Sequence, residues 1–233
     1  MMVYPFRMLI VAMVLSCAHV HAFAQNPYSG WAFLSHTQQL GKKWDLLFDA
    51  QVRTGEQFKL VNTLLLRSAL SYRVNDENSF ALGYASKNDW EPEGNEVRFQ
   101  PEHRIYQQYQ LDVKLAKTEW TVRARFEQRF IRSERVLFSQ RARAFTAFQI
   151  PIFANEDFKK GLYLNFQDEI FLNVSRKSHV NNSVFDQNRL LGSVGYRWSE
   201  KIDTELGYMY WFQREQDGDA ATNVIQLMIT TSF

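Results

Sequence analysis

His103-Arg104-Ile105-Tyr106-Gln107-Gln108-Tyr109-Gln110-Leu111-Asp112-Val113-Lys114-Leu115 decides the fold. One set of alternate positions reads Ile105, Gln107, Tyr109, Leu111, Val113, Leu115; the other reads Arg104, Tyr106, Gln108, Gln110, Asp112, Lys114. Side chains of a β-strand leave on alternate sides, so a period of two marks a strand with each face in a different environment. Residues 120–130 repeat the design, with Trp120, Val122, Ala124, Phe126, Gln128 and Phe130 opposite Thr121, Arg123, Arg125, Glu127 and Arg129. So do 44–54 and 202–213, the latter setting Ile202, Leu206, Tyr208 and Phe212 against Asp203, Glu205, Met209 and Gln213. No stretch beyond residue 24 carries a helical 3.6-residue stripe. The expectation is an all-β chain.

Working outward, the alternation places strands near 30–39, 43–54, 60–73, 79–90, 102–116, 119–132, 138–150, 161–174, 186–198, 202–214 and 221–233. Several exceed the about 5–6 residues usual in globular proteins and suit the about 9–11 residues of a tilted membrane crossing with overhang. Lys117-Thr118 and Ser199-Glu200-Lys201 read as tight turns, while 91–101 and 175–185 read as longer polar loops. The fold expected is an antiparallel transmembrane β-barrel of 10–12 strands. Eleven candidate strands cannot close an all-antiparallel wall with both ends at one rim, and single-chain bacterial barrels have even numbers. A twelfth, unrecognised strand is therefore preferred to a ten-stranded wall that leaves out 28–40.

A soluble barrel would alternate in the same way with its faces reversed. The strand lengths favour the membrane, as do aromatic residues near strand ends (Trp44, Trp90, Trp120, Trp198, Tyr208, Tyr210, Trp211, Phe212) and an apolar last strand closing on Phe233. Amphipathic rings are comfortable at headgroup level.

The N-terminus supplies an address. Arg7 is the one charge in residues 1–24, followed by an apolar run from Met8 to Leu15 and by Ala22-Phe23-Ala24. This is the order of a signal peptide cleaved near Ala24, and the run is too short for a membrane-spanning helix. The domains expected are a signal peptide, 1–24, and a single barrel, 25–233. A rival is lipoprotein processing at Cys17, which Leu15 fits poorly. The location implied is the outer membrane of a Gram-negative bacterium.

Cys17 is the single cysteine, so a chain cut at Ala24 has neither disulfides nor thiolate metal sites. Without Arg7 the 26 Lys and Arg face 25 Asp and Glu, too even a balance to argue for nucleic acid. No cluster has metal-ligand spacing and no glycine-rich phosphate loop occurs, so no metal and no cofactor are expected.

The chain also resembles a family of bacterial outer-membrane barrels catalogued as domain-of-unknown-function family 2490. The resemblance rests on Lys43-Trp44 through Arg53, Glu102-His103-Arg104, Arg123-Ala124-Arg125-Phe126-Glu127-Gln128-Arg129, Arg141-Ala142-Arg143, Asp168 through Asn173, Asp186-Gln187-Asn188-Arg189 and Glu205 through Tyr208. It implies location and architecture and no activity.

Function is expected to sit on the charged faces. Arg104, Arg123, Arg125, Glu127, Arg129, Arg141, Arg143, Glu169, Arg189, Asp203 and Glu205 share the polar side of their strands. An Arg facing lipid at midplane costs about 2–4 kcal/mol, so these should line the lumen and pair there. A structural or interaction barrel plugged by ion pairs is the first reading, and a small-solute or anion channel the second. A surface hydrolase built on His179 and Ser183 is the third. That last reading is weak, because the residues separating the two depart from known barrel lipases, and a serine nucleophile needs an oriented base beside it. No catalytic residue is assigned. The partners expected are outer-membrane lipid and the barrel-assembly machinery, which reads a terminal Phe such as Phe233.

Overall fold

The computed structural model describes residues 27–94 and 96–233. The signal peptide, Cys17 and the cleavage position near Ala24 lie outside the described residues. Eleven strands form one closed barrel: β1 (Tyr28–Gln39), β2 (Trp44–Thr54), β3 (Val61–Arg73), β4 (Asn78–Glu93), β5 (Glu96–Leu115), β6 (Thr118–Arg132), β7 (Val136–Ala154), β8 (Gly161–Ser175), β9 (Phe185–Ser199), β10 (Ile202–Arg214) and β11 (Asp219–Ser232). Each neighbour in sequence is an antiparallel neighbour in space, and β1 meets β11 to complete the ring.

The preference for twelve strands is corrected here. The barrel closes with eleven because β1 runs parallel to β11, from Tyr28 beside Asn223 to Thr37 beside Ser232. An up-and-down wall with an odd number of strands begins and ends at opposite rims, and its first and last strands then share a direction. Parallel pairing satisfies the backbone nearly as well as antiparallel pairing. An even count is required only when the first and last strands begin and end at one rim, whereas here β1 starts and β11 ends at opposite rims.

The two rims differ. Turns 40–43, 74–77, 116–117, 155–160 and 200–201 crowd one of them, together with Phe233. Tyr28 and the longer connections 55–60 and 176–184 occupy the other. Part of the expected 91–101 loop is strand: β4 and β5 run on past the neighbouring strands, and Trp90 packs on Phe99 at 5.5 Å.

Alternation sorts the side chains by solvent exposure. On β10, Glu205 is 4% and Met209 3% exposed, while Leu206 between them is 60% exposed. The same holds around the ring: Arg104, Glu127, Arg143 and Asn165 are buried, and Leu82, Ile105, Phe166 and Val194 are exposed. Charge is inside and hydrocarbon outside. The interior also has two apolar patches. Leu65, Ala69, Ala81, Ala85 and Tyr106 cover the β3–β5 wall, and Trp31, Leu191, Met209 and Val224 line the closing seam. Two inward tyrosines lie flat against the wall because glycine faces them. A Cβ on Gly83 would stand 2.3 Å from the Tyr106 ring, and one on Gly195 2.3 Å from the Tyr163 ring.

Outside, aromatic pairs ring the short-turn end: Trp44 with Tyr72, Phe80 with Tyr109, Trp120 with Phe148, and Tyr196 with Trp198. Phe130 with Phe138 and Phe185 with Phe212 ring the other. Trp211, grouped with the rim aromatics on sequence, instead points inward. Its indole donates to Gln187 at 2.7 Å and meets Trp31 edge to face.

Candidate functional site: the charged interior

Three buried carboxylates organise the loop-side half of the interior. Glu102 accepts from both Arg104 (2.7 Å) and Arg129 (2.6 Å), which oppose each other across β5 and β6. Glu127 accepts from Arg141 (2.7 Å) and Arg143 (2.6 Å). Glu169 accepts from Arg143 (2.7 Å) and Arg123 (3.2 Å). Arg141 continues to Asp186 at 2.6 Å. A chain of contacts therefore runs from β9 through β7 and β6 to β8. Like charges set opposite on neighbouring strands repel, and a shared carboxylate with forked guanidinium bonds turns that repulsion into a bridge.

Of the eleven residues expected to form one network, the structure joins five in the Glu127–Glu169 chain (Arg123, Glu127, Arg141, Arg143 and Glu169) and two, Arg104 and Arg129, in a separate cluster around Glu102. Arg125 and Arg189 stand beside them without a carboxylate. Arg125 reaches Gln108 at 2.5 Å and lies over the Tyr106 ring at 4.3 Å. Arg189 packs on Phe171 (4.8 Å), Trp31 (5.0 Å) and Trp211 (5.1 Å), and its Nε has no hydrogen-bond partner among the described residues.

Asp203 and Glu205 belong elsewhere. They sit in the short-turn half, where Arg197 binds Asp203 (3.1 Å), Glu119 (2.9 Å) and the carbonyl of Phe158 (2.9 Å). Glu205 meets no arginine of the set. Its oxygens accept from Tyr163 (3.0 Å), Asn165 (2.7 Å) and Ser193 (2.7 Å). Phe158, in the 155–160 turn, folds inward to 1% exposure and packs on Tyr163 at 5.5 Å.

Several interior charges escaped the sequence reading. Glu102 lies two residues from Arg104 and so on the same face, a signal that was there to use. Arg53, on the polar face of β2, binds Gln51 at 2.6 Å and stacks on Trp31 at 3.7 Å. Arg67 pairs with Asp49 at 2.6 Å, and Lys87 pairs with Asp89. Asp186 had no such signal, because a register shift at Phe171/Leu172 turns it inward out of phase with Arg189.

The residues weighed for hydrolysis make the following contacts. His179 Nδ1 donates to the Phe138 carbonyl at 2.7 Å. Asn181 accepts from the Ser183 backbone at 3.0 Å and donates to the Arg214 carbonyl at 2.9 Å, which ties the 176–184 loop to its neighbour. No group of three metal-ligating side chains occurs among the described residues. No helix there is long and apolar enough to cross a membrane, a statement that says nothing of strands.

Eleven strands, an apolar exterior and a charged bore define a closed up-and-down β-barrel. Among barrels, this chain belongs to a family described as "Protein of unknown function (DUF2490)", whose model matches residues 28–222. No curated protein and no solved structure matches it.

Proposed function

We propose that the chain is an outer-membrane barrel of a Gram-negative bacterium. It is delivered by a signal peptide cleaved near Ala24 and acts as a structural or interaction barrel with a plugged lumen. The observation that carries the reading is the inverted exposure, because a wall of leucine, isoleucine, valine and phenylalanine turned outward has no place in water. The aromatic rings at both rims support it. At about 3.3 Å per residue and a tilt near 40°, the stretch of β9 from Phe185 to Tyr196 rises about 28 Å, close to the apolar band of outer-membrane barrels.

The plug rests on the bore. A cavity of about 200 Å³ is lined from ten of the eleven strands, so opposite walls stand close together. Below it lies the buried layer of Phe158, Tyr163, Asn165 and Glu205. An anion channel needs a path through that layer.

The partners proposed are lipid around the wall and the assembly machinery at Phe233. Phe233 extends the last strand, donating to Thr37 (2.9 Å) and accepting from Gln39 (2.6 Å), and the residue is 47% exposed. The test is fractionation, gel migration and conductance. The protein is expected in the outer membrane, as a band whose mobility changes on boiling, and silent in planar bilayers. Recovery from the soluble periplasm removes the membrane reading, and steady anion currents replace the plug with the channel.

A further inference from the structure

A cavity in the loop-side half of the bore is lined by seven arginines and Lys87 against one carboxylate, Asp186. Six of the eight cations are tied to acids: Arg67 to Asp49, Lys87 to Asp89, Arg104 and Arg129 to Glu102, Arg141 and Arg143 to Glu127. Two are left over. Arg53, 5% exposed, and Arg189 have no ion-pair partner among the described residues, and both flank the indole of Trp31.

Burying a cation away from water without a counter-charge is expensive. Arginine has no escape by losing its proton, since the guanidinium stays charged throughout the accessible pH range. Stacking on aromatic faces offsets part of the cost. It also occupies the flat faces of the guanidinium and leaves the N–H edge, the part that forks onto an oxyanion, to a neutral amide at Arg53, where Gln51 accepts from Nη2 at 2.6 Å and from Nε at 3.2 Å, and to no acid at Arg189. The unpartnered Arg189 Nε marks such a vacant donor.

We infer that this chamber is a binding site for a phosphate group, whose negative charge suits the two guanidinium groups, Arg53 and Arg189, that make no contact ion pair among the described residues. Chloride matches the charge poorly and cannot use the fork geometry. The chamber holds several water volumes at about 30 Å³ each, room for phosphate or a small phosphate monoester. Ser29, Thr54 and Gln213, from the loop-side ends of their strands, line it as well, so it faces that rim. The Glu205 layer lies at the opposite end of the bore. The site therefore binds and does not conduct, an inference that rests on the plugged-barrel reading.

Refolded protein in a phosphate-free detergent is titrated calorimetrically with inorganic phosphate, glycerol 3-phosphate and a short-chain phosphatidic acid. Binding of the first two places the natural ligand among soluble solutes; binding of the third alone assigns the same chemistry to a lipid headgroup. Arg189→Gln and Arg53→Gln are each expected to weaken binding at least tenfold, and the pair to abolish it. Melting supplies the second readout. Phosphate should raise the wild-type Tm, whereas Arg189→Gln should melt no lower than wild type without phosphate and should not respond to it. Absence of binding by all three probes, binding unchanged in both variants, or an Arg189→Gln protein destabilised in phosphate-free buffer each overturns the site. Heat-modifiable migration and bilayer silence stay unaffected by any of these results, so the barrel reading stands or falls separately.

Discussion

The two halves of the bore solve the same problem in opposite ways. In the short-turn half a single guanidinium, Arg197, has two carboxylates, the Gln149 side chain and a backbone carbonyl around it, while Glu205 is met by three neutral donors at 3.0 Å or less. Around these two charges partners are in surplus, although the buried Asn165 Oδ1 has no hydrogen-bond partner among the described residues. In the loop-side half arginines outnumber the acids they can reach. Two stack on tryptophan instead, and Arg123 Nε, Arg125 Nη1 and Arg189 Nε have no hydrogen-bond partner among the described residues. A buried polar layer with every group paired specifies structure. A layer with leftover charge of one sign is incomplete without something from solution.

The largest expected effect tests how dry the loop-side half is. Glu127 is 1% exposed and joins Arg141 to Arg143. Glu127→Ala takes the shared acceptor from two buried guanidinium groups, leaving Arg141 only Asp186 and Arg143 only Glu169, and should cost about 3 kcal/mol, the low end for breaking a buried pair, read as a lower guanidinium-chloride midpoint in detergent. A change under about 1 kcal/mol, the range of exposed pairs, would mean that water fills this half and screens its charges. The two halves would then differ in hydration and not in pairing.

Phe158→Ala probes the other half. The ring is buried against Tyr163 and the Arg197 guanidinium, 4.0 Å from its centroid. Its loss should cost about 3 kcal/mol, the low end for a buried Phe, since a rim turn can settle into the space. The bore should nonetheless stay silent in planar bilayers, because the Glu205 layer lies beneath. Currents in this variant would assign the seal to Phe158 alone.

Much of this was legible in the sequence, and the exceptions share a cause. Period-two alternation located all eleven strands, and parity put Arg104, Glu127, Arg143 and Glu205 on the inner face. Alternation says which side a residue takes and nothing about what stands opposite. Whether Arg143 would bind Glu127 and Glu169, or Arg189, opposite Glu169 in register, would stack on rings without a contact ion pair, depends on register, tilt and shear around the whole ring. The bulge that turns Asp186 inward breaks parity, so counting by twos misses it. The parallel seam was hidden because direction at closure is a property of the complete circuit. Trp211 misled because a tryptophan near a strand end suits an interfacial belt and a buried aromatic cluster equally.

The smallest expected effect comes from a pair chemically like those inside but placed in water. Lys159 and Glu200 join the 155–160 and 200–201 turns at 2.7 Å, with side chains 54% and 62% exposed. The Lys159 ammonium beside it holds the Glu200 carboxyl below its usual range, and Glu200 in turn raises Lys159. A depressed carboxyl contributes stability that is present above its unfolded pKa and lost as pH falls through the lower folded value. Any contribution of this pair should therefore fade in acid and in high salt. At such exposure, solvent screening and side-chain entropy consume most of it. Lys159→Ala should leave the unfolding midpoint within error of wild type at neutral pH, where Glu127→Ala moves it far. If the two variants were equally harmful, burial would not be what separates these ion pairs, and the contrast between a well-partnered and an unsatisfied half of the bore would lose its physical basis.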